Sequence, residues 1–168
     1  MLAMKAVSPL DELAAAVVRR LVEKRLTIAT AESCTGGLIA EVITRVPGAP
    51  KVFGFGWVTY ANAAKERLLG VPADLISCRN AVSEPVVRAM AEGALARSQA
   101  DVAVAVSGLA GPGGGSPGIP VGTVWLAWAS RFSPTRAHLV MRPLPRREFR
   151  EMTAEYALRG VLEMTLGE

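Results

Sequence analysis

The chain is short of the side chains that most often build metal centres and disulfides. It contains one histidine, His138, and two cysteines, Cys34 and Cys78, in 168 residues. The two cysteines form no CxxC pair, and a single histidine cannot complete a Cys/His metal cluster with them. We therefore expect no metal site and no disulfide.

Aromatic residues, long apolar runs and strong net charge are also scarce. Aromatics make up 5% of the chain and the formal charge is only +4, whereas nucleic-acid-binding proteins usually show a denser basic stripe. No apolar run approaches the roughly 20 residues that span a bilayer, and the N-terminus lacks a signal-peptide pattern. These absences favour a cytoplasmic protein that binds neither nucleic acid nor a membrane and takes a small anionic ligand.

The residues that are present are sufficient for one well-packed domain. Hydrophobic residues make up 51% of the sequence and charged residues 20%, which is ample for a core at this length. No internal repeat or linker interrupts the chain. We therefore expect a single domain over residues 1–168.

Local patterns predict alternating helices and strands. Ser8 and Asp11 around Pro9 are typical of a helix start, with Ser8 as the N-cap, and this helix would extend to about Lys24. Strands covered by helices on both sides define an α/β fold, a three-layer α/β/α sandwich, and the short link at 131–134 indicates an antiparallel pair within a mixed sheet of about five strands. The other predicted helices cover about 35–46, 61–69, 84–98 and 146–166, and the predicted strands cover 26–30, 52–60, 101–107, 122–130 and 135–141.

The loop over residues 31–37 could carry a nucleophile. Ligands bind beyond the carboxyl ends of strands in open α/β sheets, and Ser33 would lie on such a turn, where backbone N–H groups of the helix start could stabilise an oxyanion. Gly36 and Gly37 would allow a substrate to approach closely. The alternative is that Ser33 or Thr35 only caps the helix. The stretch matches neither the Gly-x-Ser-x-Gly nor the Ser-x-x-Lys motif.

A serine nucleophile needs a base, and the loop over residues 60–65 offers one. His138 lies in a strand-like run and is expected to be structural. A lysine whose pKa is lowered by burial can take its place, and Lys65 lies among small residues just after a predicted strand. The alternative is an exposed helix lysine. Cys34 is a rival nucleophile, but without a suitable histidine or second cysteine nearby it is expected to be packed and unreactive.

The loop over residues 107–122 contains 7 glycines in 16 residues. Gly113, Gly115 and Gly118 match GxGxxG in form, but Pro117 and Pro120 prevent the helix that a dinucleotide fingerprint must open. The loop is therefore either mobile or a backbone N–H cradle for a phosphate, and its length in a compact domain favours a function.

Taken together, these loops resemble the CinA C-terminal domain family. The resemblance covers about residues 9–166. It implies a serine/lysine amidohydrolase that converts nicotinamide mononucleotide to nicotinate mononucleotide and ammonia without a metal or organic cofactor. Longer members of the family have an additional N-terminal domain, for which 168 residues leave no room, so the chain is similar to the stand-alone form. The resemblance also suggests a homodimer. The matching stretches are TAESCTGG (30–37), VTYANAAK (58–65), AVSEP (81–85), SGLAGPGGG (107–115) and PVGTV (120–124).

By motif position, the resemblance makes Ser33 the nucleophile and Lys65 the base. Tyr60 would assist at the reacting centre, and Ser107 would supply a nearby hydroxyl. Arg146 would bind the substrate phosphate, with Arg147 as the alternative, because the family's Phe-x-Gly-x-Arg pattern is matched only in its arginine. The other expected substrate-binding residues are Thr35, Gly36, Gly37, Gly111, Gly113 and Gly114.

Three alternatives remain open at this point. Relatives often have Tyr-Ser-Asn-Glu-Ala-Lys where this chain has Ala61 and Ala63, so the same acyl chemistry could serve a different amide. A non-catalytic regulatory module is the second alternative, although Ser33 and Lys65 argue against it. The third is a nucleotide-binding module that uses the glycine-rich loop alone.

Overall fold

The structure, a computed structural model, describes residues 8–166. This part of the chain forms six α-helices and five strands, and a short 3₁₀ turn (Ala49–Lys51) precedes the second strand. The helices are α1 (Pro9–Lys24), α2 (Leu38–Thr44), α3 (Asn62–Leu69), α4 (Ala73–Arg79), α5 (Glu84–Ser98) and α6 (Arg146–Met164). The strands are β1 (Ile28–Glu32), β2 (Phe53–Val58), β3 (Val102–Gly108), β4 (Thr123–Ser130) and β5 (Arg136–Met141).

The five strands form one mixed sheet in the order β2-β1-β3-β4-β5. β1 pairs in parallel with β2 and β3, and β4 pairs antiparallel with β3 and β5. Helices α1, α2 and α6 pack together on one face, and α5 lies across the other face with α3 and α4 beside it. The expected three-layer α/β/α sandwich with a mixed five-stranded sheet is confirmed.

The two faces of the sheet carry side chains of different size. Along β3, Val102, Val104 and Val106 belong to the core shared with α1 and α6, and Ala103 and Ala105 belong to the core under α5. This is the two-residue alternation of a strand whose two faces are both covered. Alanines on one face give α5 room to pack closely on the sheet.

The close packing of α5 also reaches α3, the helix that carries Lys65. A Cβ added at Gly93 of α5 would lie 2.0 Å from the carbonyl oxygen of Leu69, the last residue of α3. Only glycine fits at this contact. The contact places the end of α3 directly against α5.

The ends of several elements differ in detail from the sequence patterns. The Oγ of Ser8 accepts from the N–H of Asp11 at 3.1 Å, as expected for the N-cap of α1. The second helix begins at Leu38 and not near Thr35, because Gly36 and Gly37 have φ angles of 58° and 98°, outside the helical region. Helix α4 was not expected. No helix within residues 8–166 is both long and apolar enough to cross a membrane.

Candidate active site

The loops that follow β1, β2 and β3 meet at one edge of the sheet. The ladders pair Glu32 with Val58 on one side and with Val106 on the other, so β1 and β2 end level and β3 extends two residues further, to Gly108. A cavity of about 330 Å³ lies at this edge. Seven of the expected site residues line it: Ser33, Tyr60, Lys65, Ser107, Gly111, Gly113 and Arg146.

Ser33 and Lys65 are in direct contact although 32 positions separate them in the sequence. Lys65 Nζ lies 3.1 Å from Ser33 Oγ, and it donates to the carbonyl oxygens of Thr59 at 2.8 Å and Tyr60 at 3.4 Å. These three oxygens match the three N–H donors of a protonated lysine. In the neutral form, two N–H groups would donate to the carbonyl oxygens and the lone pair would face the hydroxyl hydrogen of Ser33.

Burial determines the protonation of this lysine. The side chain is only 1% exposed, and burial lowers the pKa of Lys65 because its charged form loses hydration. Lys65 lies in the first half of α3, where Ala61, Ala63 and Ala64 leave little side chain around it. The arrangement favours an amine that can accept a proton.

Glu32 holds the turn that presents Ser33. Its carboxylate is 1% exposed and accepts four hydrogen bonds, from the hydroxyl of Thr35 at 2.6 Å and from three backbone N–H groups at 2.8 to 3.1 Å. Those N–H groups belong to Gly37, Ile39 and Ala40. A carboxylate at this position satisfies the free donors at the start of α2 and interacts favourably with the helix dipole.

The same contacts narrow the choice of backbone N–H groups near residues 33–37 that could hold an oxyanion. The N–H groups around the N-terminus of α2 are occupied by Glu32. The N–H of Ser33 donates to Val106 O, and that of Gly36 donates to Ser33 O. Within residues 8–166, the N–H groups of Cys34 and Thr35 have no hydrogen-bond partner, and of these two residues only Cys34 lines the cavity.

Cys34, the neighbour of Ser33, also lines the cavity, but its thiol is not in the ionised form that attacks a carbonyl. The residue is buried in the apolar core on the α1 and α6 side of the sheet. Burial raises the pKa of the Cys34 thiol to about 12, so the thiol is protonated at neutral pH.

Arg146 connects three separate segments at the mouth of the cavity. Its guanidinium donates to Gly111 O at 2.8 Å and to the hydroxyl of Tyr60 at 2.7 Å. Arg147, its alternative, is 89% exposed and pairs with Glu151 on the surface of α6. Arg146 is therefore the arginine that lines the cavity.

Four of the expected residues lie outside the lining of the cavity. The Thr35 hydroxyl donates to Glu32, and its carbonyl oxygen accepts from Arg150 at 2.6 Å. Gly36 and Gly37 form the turn before α2, and Gly114 lies in the glycine-rich loop away from the cavity wall.

Sequence reasoning missed Glu32, Arg150, Asn62 and Asn80. A carboxylate inside an apolar strand just before two glycines was the available signal for Glu32. Arg150 follows Arg146 by one helical turn and so shares its face of α6. Asn62 and Asn80 both line the cavity, and each lies where a helix begins or ends.

His138 takes no part in this cavity. It lies on β5, where its ring stacks on Tyr156 with the ring centres 6.2 Å apart. Within the described residues, no group of three His, Cys, Asp or Glu side chains could hold a metal ion.

Comparison with known proteins identifies close relatives of this chain. The family model described as the CinA C-terminal domain matches residues 10–165. The chain is 52% identical, over 93% of its length, to nicotinamide-nucleotide amidohydrolase PncC of Pseudomonas putida, and it covers 97% of that protein. It is 62% identical, over 88% of its length, to a CinA-like protein of Akkermansia muciniphila, but it spans only 36% of that longer protein.

Solved structures show the same fold over nearly the whole chain. The competence/damage inducible protein CihA from Agrobacterium tumefaciens is 41% identical with a TM-score of 0.91, and the match covers 95% of this chain and 98% of that one. A CinA superfamily protein from Klebsiella pneumoniae, KP700603, is 32% identical with a TM-score of 0.91, and the match covers 96% and 100% of the two chains.

Proposed function

Because the chain belongs to the CinA C-terminal domain family, we propose that it hydrolyses the carboxamide of nicotinamide mononucleotide to nicotinate mononucleotide and ammonia. The observation that carries this proposal is the buried contact of 3.1 Å between Lys65 Nζ and Ser33 Oγ. The similarity to a nicotinamide-nucleotide amidohydrolase over nearly all of both chains supports this choice of substrate.

In the first step, Ser33 is the nucleophile and Lys65 is the base. The neutral amine of Lys65 takes the hydroxyl proton of Ser33 while Oγ attacks the carboxamide carbon, so that a C–O bond forms and the carbonyl π electrons move onto oxygen. The two carbonyl groups that accept from Lys65 hold its lone pair towards Ser33.

The tetrahedral oxyanion needs hydrogen-bond donors that do not have to reorganise. The free N–H group of Cys34 lies directly after the nucleophile, in a residue that lines the cavity, and we assign the oxyanion to it. One such donor contributes about 2.7–4 kcal/mol to catalysis in a comparable site. Glu32 holds the turn from which this group projects.

Collapse of the intermediate releases ammonia and leaves an ester on Ser33. Protonated Lys65 gives its proton to the leaving nitrogen as the C–N bond breaks, and the C=O bond forms again. Lys65 is then neutral and takes a proton from a water molecule that attacks the ester. Cleavage of this ester returns the proton to Ser33 and releases nicotinate mononucleotide.

The other end of the cavity suits the phosphate of a nucleotide. Arg146 carries a permanent positive charge, and the glycine-rich loop at Gly111 and Gly113 presents backbone beside it. A guanidinium with several donors is well suited to a phosphate. Tyr60 accepts from Arg146 through its hydroxyl and would keep it positioned at the mouth.

Ammonia release from nicotinamide mononucleotide tests this proposal. We expect Ser33→Ala and Lys65→Ala to lower kcat by about 10³-fold or more, because nucleophile and base act as a unit. Cys34→Ala and Lys51→Ala are the matched controls: Cys34 is a buried, protonated thiol and Lys51 is an exposed lysine outside the cavity. Both controls are expected to stay within about twofold of the unchanged protein.

Two results would overturn parts of the proposal. Full activity of Ser33→Ala would remove Ser33 as the nucleophile. Absence of ammonia release by the unchanged protein would reject this substrate and favour either another amide or a non-catalytic module.

A further inference from the structure

A wall of the cavity is formed by the segment between α4 and α5, for which the proposed mechanism has no use. Asn80, Ala81 and Val82 all line the cavity together with Ser33 and Lys65. Asn80 ends α4 with a φ of 71° and a ψ of 148°. These backbone angles favour glycine, whereas asparagine is strained at them. Asn80 nevertheless places a polar side chain beside the cavity.

Hydrogen bonds hold this segment both internally and to the neighbouring strand β3. Asn80 Oδ1 accepts from the N–H of Val82 at 3.0 Å, and Asn80 O accepts from the hydroxyl of Ser83 at 2.8 Å. The hydroxyl of Ser107, at the end of β3, donates to Ala81 O at 2.7 Å. The wall is therefore tied to the central strand of the sheet.

These contacts determine which way the carboxamide of Asn80 is turned. A backbone N–H needs an acceptor, so the oxygen of the side chain must be the atom that faces Val82. The nitrogen, Nδ2, is then the remaining polar atom. Within residues 8–166 it has no hydrogen-bond partner in the protein, and it belongs to an exposed residue that lines the cavity.

We propose that Asn80 is a substrate-binding residue, whose Nδ2 donates a hydrogen bond to an oxygen of the nucleotide while Oδ1 stays bound to the loop. This inference rests on the proposed function for the identity of the ligand. Two observations carry it: the anchored oxygen leaves only the donor free, and the residue lines the same cavity as the Ser33 and Lys65 pair.

Two substitutions separate binding of substrate from anchoring of the loop. Asn80→Asp keeps an oxygen for the N–H of Val82 and loses only the donor. Asn80→Gly keeps the positive φ and removes the whole side chain. The control is Ser77→Ala, an exposed residue of α4 whose hydroxyl donates only to Asp74 O.

Binding is measured by titration calorimetry with nicotinamide mononucleotide in the Ser33→Ala background, so that the ligand is not consumed. We expect both Asn80 substitutions to raise Kd by about tenfold, the effect of losing one hydrogen bond in a site. Ser77→Ala should leave Kd unchanged, and melting temperatures should show that every variant is folded.

The repulsion between the new carboxylate of Asn80→Asp and an anionic ligand is tested separately. Repulsion is screened by salt, so its share of the loss shrinks between about 50 mM and 500 mM salt, whereas loss of the donor persists. At each salt concentration, the Kd of the Asn80→Asp variant is divided by the Kd of the Ser33→Ala background, and the two ratios are compared. A ratio that falls to about one at high salt would overturn the inference.

The remaining outcomes distinguish this inference from the proposed function. If Asn80→Asp binds like the Ser33→Ala background, Asn80 only anchors the loop and the inference is wrong, even if the unchanged protein releases ammonia. If the nucleotide binds in an Asn80-dependent way but is not hydrolysed, the inference stands and the proposed reaction fails. If the nucleotide does not bind at all, both are wrong.

Discussion

Burial favours the neutral form of Lys65, the form that the proposed mechanism needs. An exposed lysine is protonated at neutral pH, but this side chain is almost fully enclosed, and the loss of hydration lowers its pKa. Its N–H groups are taken by the carbonyl oxygens of Thr59 and Tyr60. Cys34, the neighbour of Ser33, illustrates the opposite effect: burial raises the pKa of its thiol to about 12 and keeps it protonated at neutral pH.

The pH dependence of catalysis should report this lysine. Because the neutral amine is the active form, kcat/KM is expected to rise with pH and to level off above the pKa of Lys65, which burial lowers from the usual pKa of a lysine. Lys65→Arg should be inactive at every pH and should therefore show no acid limb, because a guanidinium stays protonated and cannot act as the base. A pH–rate profile of ammonia release measures this.

The control for the pH profile is Cys34→Ala. The thiol does not ionise in the accessible range, so this variant should keep the acid limb of the unchanged protein. A limb that moves or vanishes with Cys34→Ala, or a Lys65→Arg protein with full activity, would contradict the assignment of Lys65 as the titrating base.

At the scale of elements, the turn between β1 and α2 depends on one carboxylate. Glu32 ends β1, and its carboxylate accepts hydrogen bonds from three backbone N–H groups around the start of α2. Helix α2 has only seven residues. A helix this short has little stability of its own. The position of Ser33 therefore depends on Glu32.

Glu32→Gln tests this dependence. The amide keeps the shape but puts an NH₂ group where donors already converge, so we expect the free energy of unfolding to fall by about 2 kcal/mol and kcat to fall with it. Glu41→Gln is the matched control, because Glu41 lies on α2 but forms only an exposed ion pair with Arg45. The control should lose less than about 1 kcal/mol. Chemical denaturation measures both values, and equal losses would contradict the role of Glu32.

The packing of α5 on α3 offers a second prediction at this scale. Glycine to alanine inside a helix normally stabilises by roughly 1 kcal/mol, but a Cβ at Gly93 would collide with Leu69 O. We expect Gly93→Ala to destabilise the protein by about 2 kcal/mol, because backbone must move. Thermal unfolding measures the change.

Gly54→Ala is the control for that substitution. Nothing lies within 4 Å of a Cβ added at Gly54 on β2, so the melting temperature should hardly change. An unchanged or higher melting temperature for Gly93→Ala would mean that α3 and α5 can separate at no cost.

At the scale of the whole molecule, the site is assembled from segments far apart in the sequence. The first residue of α6, Arg146, reaches Tyr60 and Gly111. One turn later, Arg150 donates to Thr35, which is 115 positions earlier in the sequence. The last helix therefore supports both the mouth of the cavity and the turn that carries Ser33.

Arg146→Ala is expected to raise KM for nicotinamide mononucleotide by about tenfold or more, because a charged donor facing the phosphate is lost. Arg147→Ala should leave KM unchanged, since that side chain is exposed and pairs only with Glu151 on its own helix. Steady-state kinetics of ammonia release measures both. A larger effect of Arg147→Ala would reverse the assignment.

Much of this architecture could be predicted from local patterns, and the failures have physical reasons. The five strands were predicted because each is a short apolar or β-branched run between turn residues. Helix α4 was missed because its seven residues, Ala73–Arg79, are too few to show a helical period. The start of α2 was placed too early because the φ angles of two glycines cannot be read from composition.

What the sequence determined by itself is the fold and the pair of residues on which the proposed chemistry depends. Alternating apolar segments specify the layers, the shortage of histidine leaves lysine as the base, and the motifs around Ser33 and Lys65 point to one family. Only the tertiary structure decided which polar groups are free. Hydrogen bonds within the turn after β1 occupy the Glu32 carboxylate, a bond from the distant Arg150 occupies the carbonyl oxygen of Thr35, and a donor of Asn80 remains free on the cavity wall.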